Sequence, residues 1–155
     1  GATGPQGIQG NVGPAGPAGS SDYADFYALM PGDNTAIVDF DNYVEFPQNG
    51  PNSATGITRV SATTFNLADV GTYEVHFTVS VDEPCQLQLR LNGMGLSSTV
   101  VGRATGTSQI TGNFLIQTSV PNSFLSVMNT GFPFTITPIA GGFNPVSAHL
   151  VIKKM

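Results

Sequence analysis

Apolar and polar residues alternate along two adjacent stretches in the middle of the chain. Every second residue is apolar from Tyr73 to Val81, and the same period returns from Cys85 to Leu91. A period of two is typical of β-strands that bury one face and expose the other. Only residues 82–84, which include a proline, separate the two stretches. We therefore expect them to pair as an antiparallel hairpin.

Shorter stretches with the same character occur along most of the chain, separated by Gly, Pro and Asn. They predict strands at 26–30, 36–40, 43–46, 57–60, 63–67, 96–101, 108–119, 124–128, 134–139 and 146–153. Segments such as 48–52 and 141–144 have the composition of loops. No stretch keeps an apolar period of 3.6 residues. About ten short strands with these turns predict an all-β sandwich of the jelly-roll type.

Glycine occupies every third position at the start of the chain. The repeat comprises Gly1, Gly4, Gly7, Gly10, Gly13, Gly16 and Gly19. This pattern is typical of collagen, in which only glycine fits at the axis that three chains share. It predicts a homotrimer, with residues 1–21 as a collagen-like stalk and residues 22–155 as a β head. Seven triplets are too short to hold three strands alone, so we expect the head to set their register and more of the repeat to lie upstream.

Charged residues make up only 10% of the chain, and the net charge is -5. A typical soluble domain has about 25% charged residues, and a nucleic-acid-binding domain has a basic patch. Six acidic residues lie between positions 22 and 45, but their spacing matches no EF-hand loop. A solvated acidic face is therefore favoured over a calcium site, and we expect no cofactor and no nucleic-acid partner. No apolar run is long enough to span a membrane.

Residues with catalytic or ligating chemistry are few. Cys85 is the only cysteine, and its place in a strand predicts a buried free thiol. His76 and His149 fall in the middle of strands, which favours surface or interface positions over metal ligation. Arg103 is isolated in an uncharged stretch, so it could bind a ligand, but a structural hydrogen-bonding role is favoured. There is no nucleophile elbow, P-loop or dinucleotide motif, and we predict that the chain is not an enzyme.

Ten phenylalanines and no tryptophan supply most of the aromatic surface. Four of them crowd the C-terminal third: Phe124, Phe132, Phe134 and Phe143. They could belong to the core or to a trimer interface. We favour a division in which alternating strand residues form the core and one or two loop phenylalanines contact another subunit.

Five segments of the head, together with the stalk, resemble a known bacterial family. They are residues 57–65, 71–81, 87–93, 99–110 and 145–152. These segments are similar to the C-terminal domain of the Bacillus collagen-like exosporium glycoproteins, which belong to the C1q/tumour-necrosis-factor-like superfamily. The string from 99 to 110 is long and unusual, and it carries most of the resemblance.

The resemblance implies a homotrimeric jelly roll that nucleates the triple helix of a spore-surface filament. It also implies glycosylation of Gly-X-Thr triplets, which makes Thr3 a candidate acceptor, and it brings no catalytic residues. The alternative is a trimeric adhesion head that recognises host protein or carbohydrate. Partners would then be the chain itself, other spore-coat proteins or host surface molecules.

Overall fold

A computed structural model describes residues 1–13, 21–142 and 144–155. Within these ranges the chain forms thirteen strands and one 3-10 helix. The strands are β1 (Tyr23–Leu29), β2 (Ile37–Val38), β3 (Gln48–Asn52), β4 (Ile57–Arg59), β5 (Phe65–Leu67), β6 (Thr72–Val81), β7 (Cys85–Leu91), β8 (Met94–Gly95), β9 (Val101–Arg103), β10 (Ser108–Gln117), β11 (Ser123–Asn129), β12 (Phe134–Thr135) and β13 (Val146–Lys154). The 3-10 helix spans Ser97–Thr99. The predicted all-β class is confirmed.

The strands form two principal antiparallel sheets and one small one. The first sheet has the order β10-β6-β13-β1-β3. The second has the order β4-β5-β11-β7-β8, and β9 also pairs with β7. Strands β12 and β2 form a separate pair. The two large sheets pack as a sandwich, which is the common way for two half-apolar sheets to bury their faces.

The predicted hairpin between β6 and β7 is wrong. Strand β6 lies between β10 and β13 in the first sheet, whereas β7 lies beside β11 in the second. Residues 82–84 therefore carry the chain from one sheet to the other. The period of two determines which face of each strand is apolar, but not which strand lies beside it. The two apolar faces meet across the sandwich, where each buries the other.

The core contains the alternating residues that the pattern singles out. Tyr73, Val75, Phe77 and Val79 of β6 are fully buried, as is Leu89 of β7. They belong to one continuous cluster that also takes residues from β1, β10, β11 and β13. Burial of a large apolar side chain contributes about 1.5 to 3 kcal/mol, so this cluster is the main source of the head's stability.

Two segments differ from the predicted strands at 43–46 and 96–101. The first forms an isolated backbone bridge between Tyr43 and Met128 and not a strand, although Val44 and Phe46 are buried. The second contains the 3-10 helix. There the buried hydroxyl of Thr99 donates to Leu96 O at 2.7 Å and accepts from Leu89 N at 3.0 Å. A side chain thus replaces part of the backbone pairing.

The segment from Gln48 to Asn52, expected to be a loop, forms the edge strand β3. Its backbone pairs with β1, and an edge strand tolerates the Gly-Pro pair that it contains. The side chain of Arg59 fastens the approach to this strand by donating to Phe46 O and, at 3.0 Å, to Gln48 O. Loop-like composition is here overridden by tertiary hydrogen bonds.

Candidate functional site

The sandwich has two ends, and the N-terminal repeat enters at one of them. Tyr23 begins β1 and pairs with Lys153 near the end of β13. Leu29 and Val146 pair at the opposite end, where β6 also finishes at Val81. We call these the stalk end and the far end. The far end is the part of the sandwich opposite to the point where the repeat enters.

A groove of about 670 Å³ lies at the far end. It is formed by the connection between β6 and β7, the start of the β9–β10 loop and the segment after β11. Its lining comprises Phe40, Pro84, Cys85, Gln86, Arg103, Ala104, Thr130, Gly131, Phe132 and Pro133. The volume lies in the range of about 300 to 1,000 Å³ that is usual for small-molecule sites.

Two phenylalanines form exposed apolar walls of the groove. The side chain of Phe132 is 78% exposed and that of Phe40 is 65% exposed. Scattered exposed apolar residues are normal on a protein surface, but two large rings with prolines beside one concavity are typical of an interaction site. Phe132 is one of the four phenylalanines that the sequence nominated, whereas Phe40 was seen only as part of a strand.

Asn129 holds these two walls together. Its fully buried amide donates to Val38 O and to Phe132 O, each at 3.0 Å, and accepts from Gly131 N at 2.8 Å. Its backbone carbonyl accepts from Asp41 N at 2.9 Å. One residue therefore ties together the segments on either side of the groove. Sequence reasoning identified Asn129 only as a turn residue, and its hydrogen bond to Gly131 is indeed of the Asx-turn kind.

Among the residues that the structure describes, Arg103 is the only charged side chain that lines the groove. Its Nε and Nη2 donate to Thr105 O at 3.3 and 2.9 Å, which confirms the expected structural hydrogen bond. Thr130 is also a lining residue, but its hydroxyl oxygen is buried and has no partner among the described residues. The described lining thus combines apolar walls with one cation.

Cys85 lies in the lining as a free, buried thiol, as predicted. Burial, with a smaller contribution from nearby Glu83, raises the pKa of the Cys85 thiol to about 11, and Arg103 opposes the rise. The thiol is therefore protonated at neutral pH. A protonated thiol is a poor nucleophile and a poor metal ligand.

The four nominated phenylalanines do not form one patch. Phe134 is only 1% exposed and belongs to the core of its own chain, so it is removed from the interface candidates. Phe124 is 47% exposed on β11 near the stalk end, and Phe132 lies at the far end. Phe143 lies outside the described residues. The interface role of Phe124 and Phe132 stays a prediction.

The two histidines lie on the outward face of the first sheet. His149 Nε2 contacts Asp25 Oδ1, and His76 is 3.4 Å from the hydroxyl of Thr78. Across residues 1–13, 21–142 and 144–155, no group of three or more His, Cys, Asp or Glu residues could hold a metal ion. In the same ranges no helix is long and apolar enough to cross a membrane.

Four of the six acidic side chains between 22 and 45, those of Asp25, Asp33, Asp41 and Glu45, have separate partners. Asp33 accepts from Leu29 N at 2.9 Å and from the amide of Gln48 at 3.1 Å. Asp41 lies 3.5 Å from Arg90 on the surface. The acidic stretch thus serves local hydrogen bonds and ion pairs, and its described residues form no cation site.

Comparison with known proteins gives a likeness of fold. No protein-family model matches the chain, and no curated protein matches it. Among solved structures, murine APRIL is 12% identical with a TM-score of 0.56, over 88% of this chain and 100% of that one. The globular domain of zebrafish complement 1qA is 11% identical at 0.56, over 86% and 95%. Eiger TNF from S. frugiperda is 12% identical at 0.62, over 87% and 92%. Over most of its length the chain therefore shares the β-sandwich fold of TNF- and C1q-like domains.

Proposed function

We propose that this chain is a structural surface protein whose head forms a homotrimer and aligns a collagen-like stalk. The observation that carries the proposal is the environment of the repeat glycines. A Cβ atom added at Gly1, Gly4, Gly7, Gly10 or Gly13 would meet nothing within 4 Å, and none of these glycines has a positive φ. One chain by itself therefore gives no reason for glycine at these positions.

A triple helix supplies that reason, because each of its strands must place glycine at the crowded common axis. Gly16 and Gly19 continue the same register and lie outside the described residues. A head that follows directly on such a repeat must bring three chains together. The TNF- and C1q-like fold supports this role, and the resemblance to the exosporium glycoproteins points to the filaments of a spore surface.

The first sheet is the side of the head that we expect to face the trimer axis. The repeat leads into β1, which belongs to this sheet, so three converging stalk strands bring three copies of β1 close to one axis. The outward residues of neighbouring strands are half-buried and mostly uncharged. Tyr27, His149 and Thr78 form one cross-strand row, and Val151 and His76 belong to the next. We call these five residues the assembly face.

Light scattering with mass determination tests the proposal. The whole chain and a version that lacks residues 1–21 should both have the mass of three subunits. Val151→Arg should give a folded monomer, because an unpaired charge is costly to bury at an interface. Thr58→Arg, on an exposed position of the second sheet, should remain trimeric. A monomeric head in the parent protein would overturn the proposal.

The spore location has its own test. An antibody against the head should label the surface of intact spores of the source organism, and mass spectrometry of the native protein should find a glycan on Thr3. Labelling confined to the spore interior would contradict the proposed location but would not contradict the proposed trimer.

A second role, as a trimeric binding head, is favoured by the position of the far-end groove. Three copies would present three grooves opposite the stalk, with the gain in avidity that multivalency brings. The two polar segments with loop composition are weaker candidates for this role. Gln48–Asn52 forms an edge strand, and the segment at 141–144 includes a residue outside the described part. Probing glycan and matrix-protein arrays with the parent protein and with Phe132→Ser tests this role. Equal signals from both proteins would count against it.

A further inference from the structure

We propose that the far-end groove binds a small aromatic carboxylate, with the ring against Phe40 and Phe132 and the carboxylate at Arg103. The inference deepens the second role above, since it names the class of ligand that a binding head would take. It does not depend on the trimer.

The aromatic part of the ligand follows from the walls. Among the described phenylalanines, Phe40 and Phe132 are the two most exposed, and Pro84, Pro133 and Ala104 extend the apolar lining between the loops. Aromatic rings pack favourably edge to face or offset against one another. An arylalkyl group would cover both rings and remove apolar surface from water.

The carboxylate follows from the charge. Among the described residues of the lining, Arg103 is the only charged one, and its bonds to Thr105 O use Nε and Nη2 but not Nη1. These bonds hold the guanidinium in place. A planar guanidinium matches a carboxylate in geometry better than an ammonium group does. Lys153 and Lys154 end β13 at the stalk end, so they offer no competing site nearby.

Glu83 lies beside the groove but does not line it, whereas Arg103 does. The two carboxylate oxygens of Glu83 accept from Thr135 N at 2.7 Å and from the Thr135 hydroxyl at 2.8 Å, which holds the carboxylate on Thr135. Its negative charge still acts on Cys85 in the lining and opposes an anion there. The carboxylate of the ligand is therefore assigned to the guanidinium of Arg103 and not to the part of the groove beside Cys85.

The rest of the lining is poor in polar groups. Thr130 is a lining residue, but its hydroxyl oxygen is buried and does not face the groove. Beyond Arg103, Thr130 and Gln86 the lining offers few polar side chains. A sugar, whose many hydroxyls each need a partner, fits it less well than an aryl acid.

Isothermal titration of the full chain with 3-phenylpropionate tests the inference. We expect saturable binding. The neutral analogue 3-phenylpropanamide and the ring-free analogue propionate should each bind about tenfold more weakly or worse, because each lacks one of the two contacts. Equal affinity for the acid and its amide would overturn the assignment of Arg103. The absence of saturable binding would overturn the whole inference.

Two pairs of variants locate the site. Arg103→Gln should weaken binding of the acid about tenfold and leave the weak binding of the amide unchanged, whereas Lys153→Gln at the stalk end should change neither. Phe132→Ser should weaken binding, whereas Phe124→Ser, an exposed phenylalanine near the stalk end, should not. Equal losses in the two phenylalanine variants would place the ligand elsewhere and refute the site.

The subunit mass of the same samples separates this inference from the structural role. A trimer that binds no 3-phenylpropionate would refute the ligand and leave the trimeric head standing. A monomer that binds the acid through Arg103 would refute the trimer and leave the groove as a binding site.

Discussion

Replacing Asn129 with aspartate is the most direct test of how the far end is held together. The change keeps the shape of the side chain but exchanges its two N–H donors for an acceptor. Asn129 Oδ1 can still accept from Gly131 N. The carbonyls of Val38 and Phe132, each 3.0 Å from Nδ2, lose their donor and then face a carboxylate.

The size of the effect follows from where these carbonyls lie. A buried polar group left without a partner costs about 1 to 3 kcal/mol. Val38 is only 4% exposed, so water does not replace the donor that its carbonyl loses, whereas the carbonyl of the exposed Phe132 recovers part of the cost from water. Repulsion between the carboxylate and two carbonyl dipoles adds to the loss. We expect Asn129→Asp to lower the free energy of unfolding by about 2 to 5 kcal/mol at pH 7.

Urea unfolding at one fixed subunit concentration measures this loss, because the stability of an oligomer depends on concentration. Asn144→Asp, the same change at an exposed position of the loop before β13, is the matched control and should cost less than about 0.5 kcal/mol. If the two variants lose equal stability, the buried amide does not hold the far end. A loss that recovers as the pH falls, when the new carboxyl regains a proton to donate, would support the hydrogen-bond account.

Three further predictions concern the core, the edge strand and the thiol. Gly112→Ala would place a Cβ atom 2.7 Å from the ring of buried Phe77. The change should lower the free energy of unfolding by about 1 to 3 kcal/mol, measured by thermal unfolding, and adding Phe77→Leu should recover part of this loss. Arg59→Lys removes the guanidinium that lies 4.9 Å from the ring of Phe26; it should cost about 1 to 3 kcal/mol, and an unchanged stability would contradict the role given to this residue. Burial raises the pKa of the Cys85 thiol to about 11, so the folded chain keeps a proton that an unfolded thiol loses near pH 8.5. The free energy of unfolding should therefore fall as the pH rises between about 8.5 and 11. Cys85→Ala should remove this part of the pH dependence.

Much of the core was predictable because burial in a strand follows a simple period. The alternating residues of β6 and β7 are buried as the pattern indicates, and Cys85 is buried with them. The partners of these strands were not predictable. A β-strand pairs through backbone groups that every sequence shares, so neither β6 nor β7 records in its side chains which strand lies beside it.

The groove could not be read from the sequence because its residues come from distant parts of the chain. Phe40, Cys85, Arg103 and Phe132 meet only after β7, β9 and the segments that follow β2 and β11 reach the same end of the sandwich. The sequence identified Cys85 as a buried thiol, Arg103 as a structural arginine and Phe132 as an interface candidate. It did not indicate that these residues lie side by side, or that Asn129 links two of the segments.

The sequence by itself determined the all-β class and the buried faces of the long strands, and its glycine repeat predicts a triple helix. Each of these depends on a local period, two residues for a strand and three for the triple helix, and a period is visible in one dimension. The tertiary structure alone decided that β6 and β7 lie in different sheets, that residues 48–52 form an edge strand and that a groove forms opposite the stalk. These depend on hydrogen bonds and contacts between residues far apart in the chain, and no local pattern specifies which distant partner a residue finds.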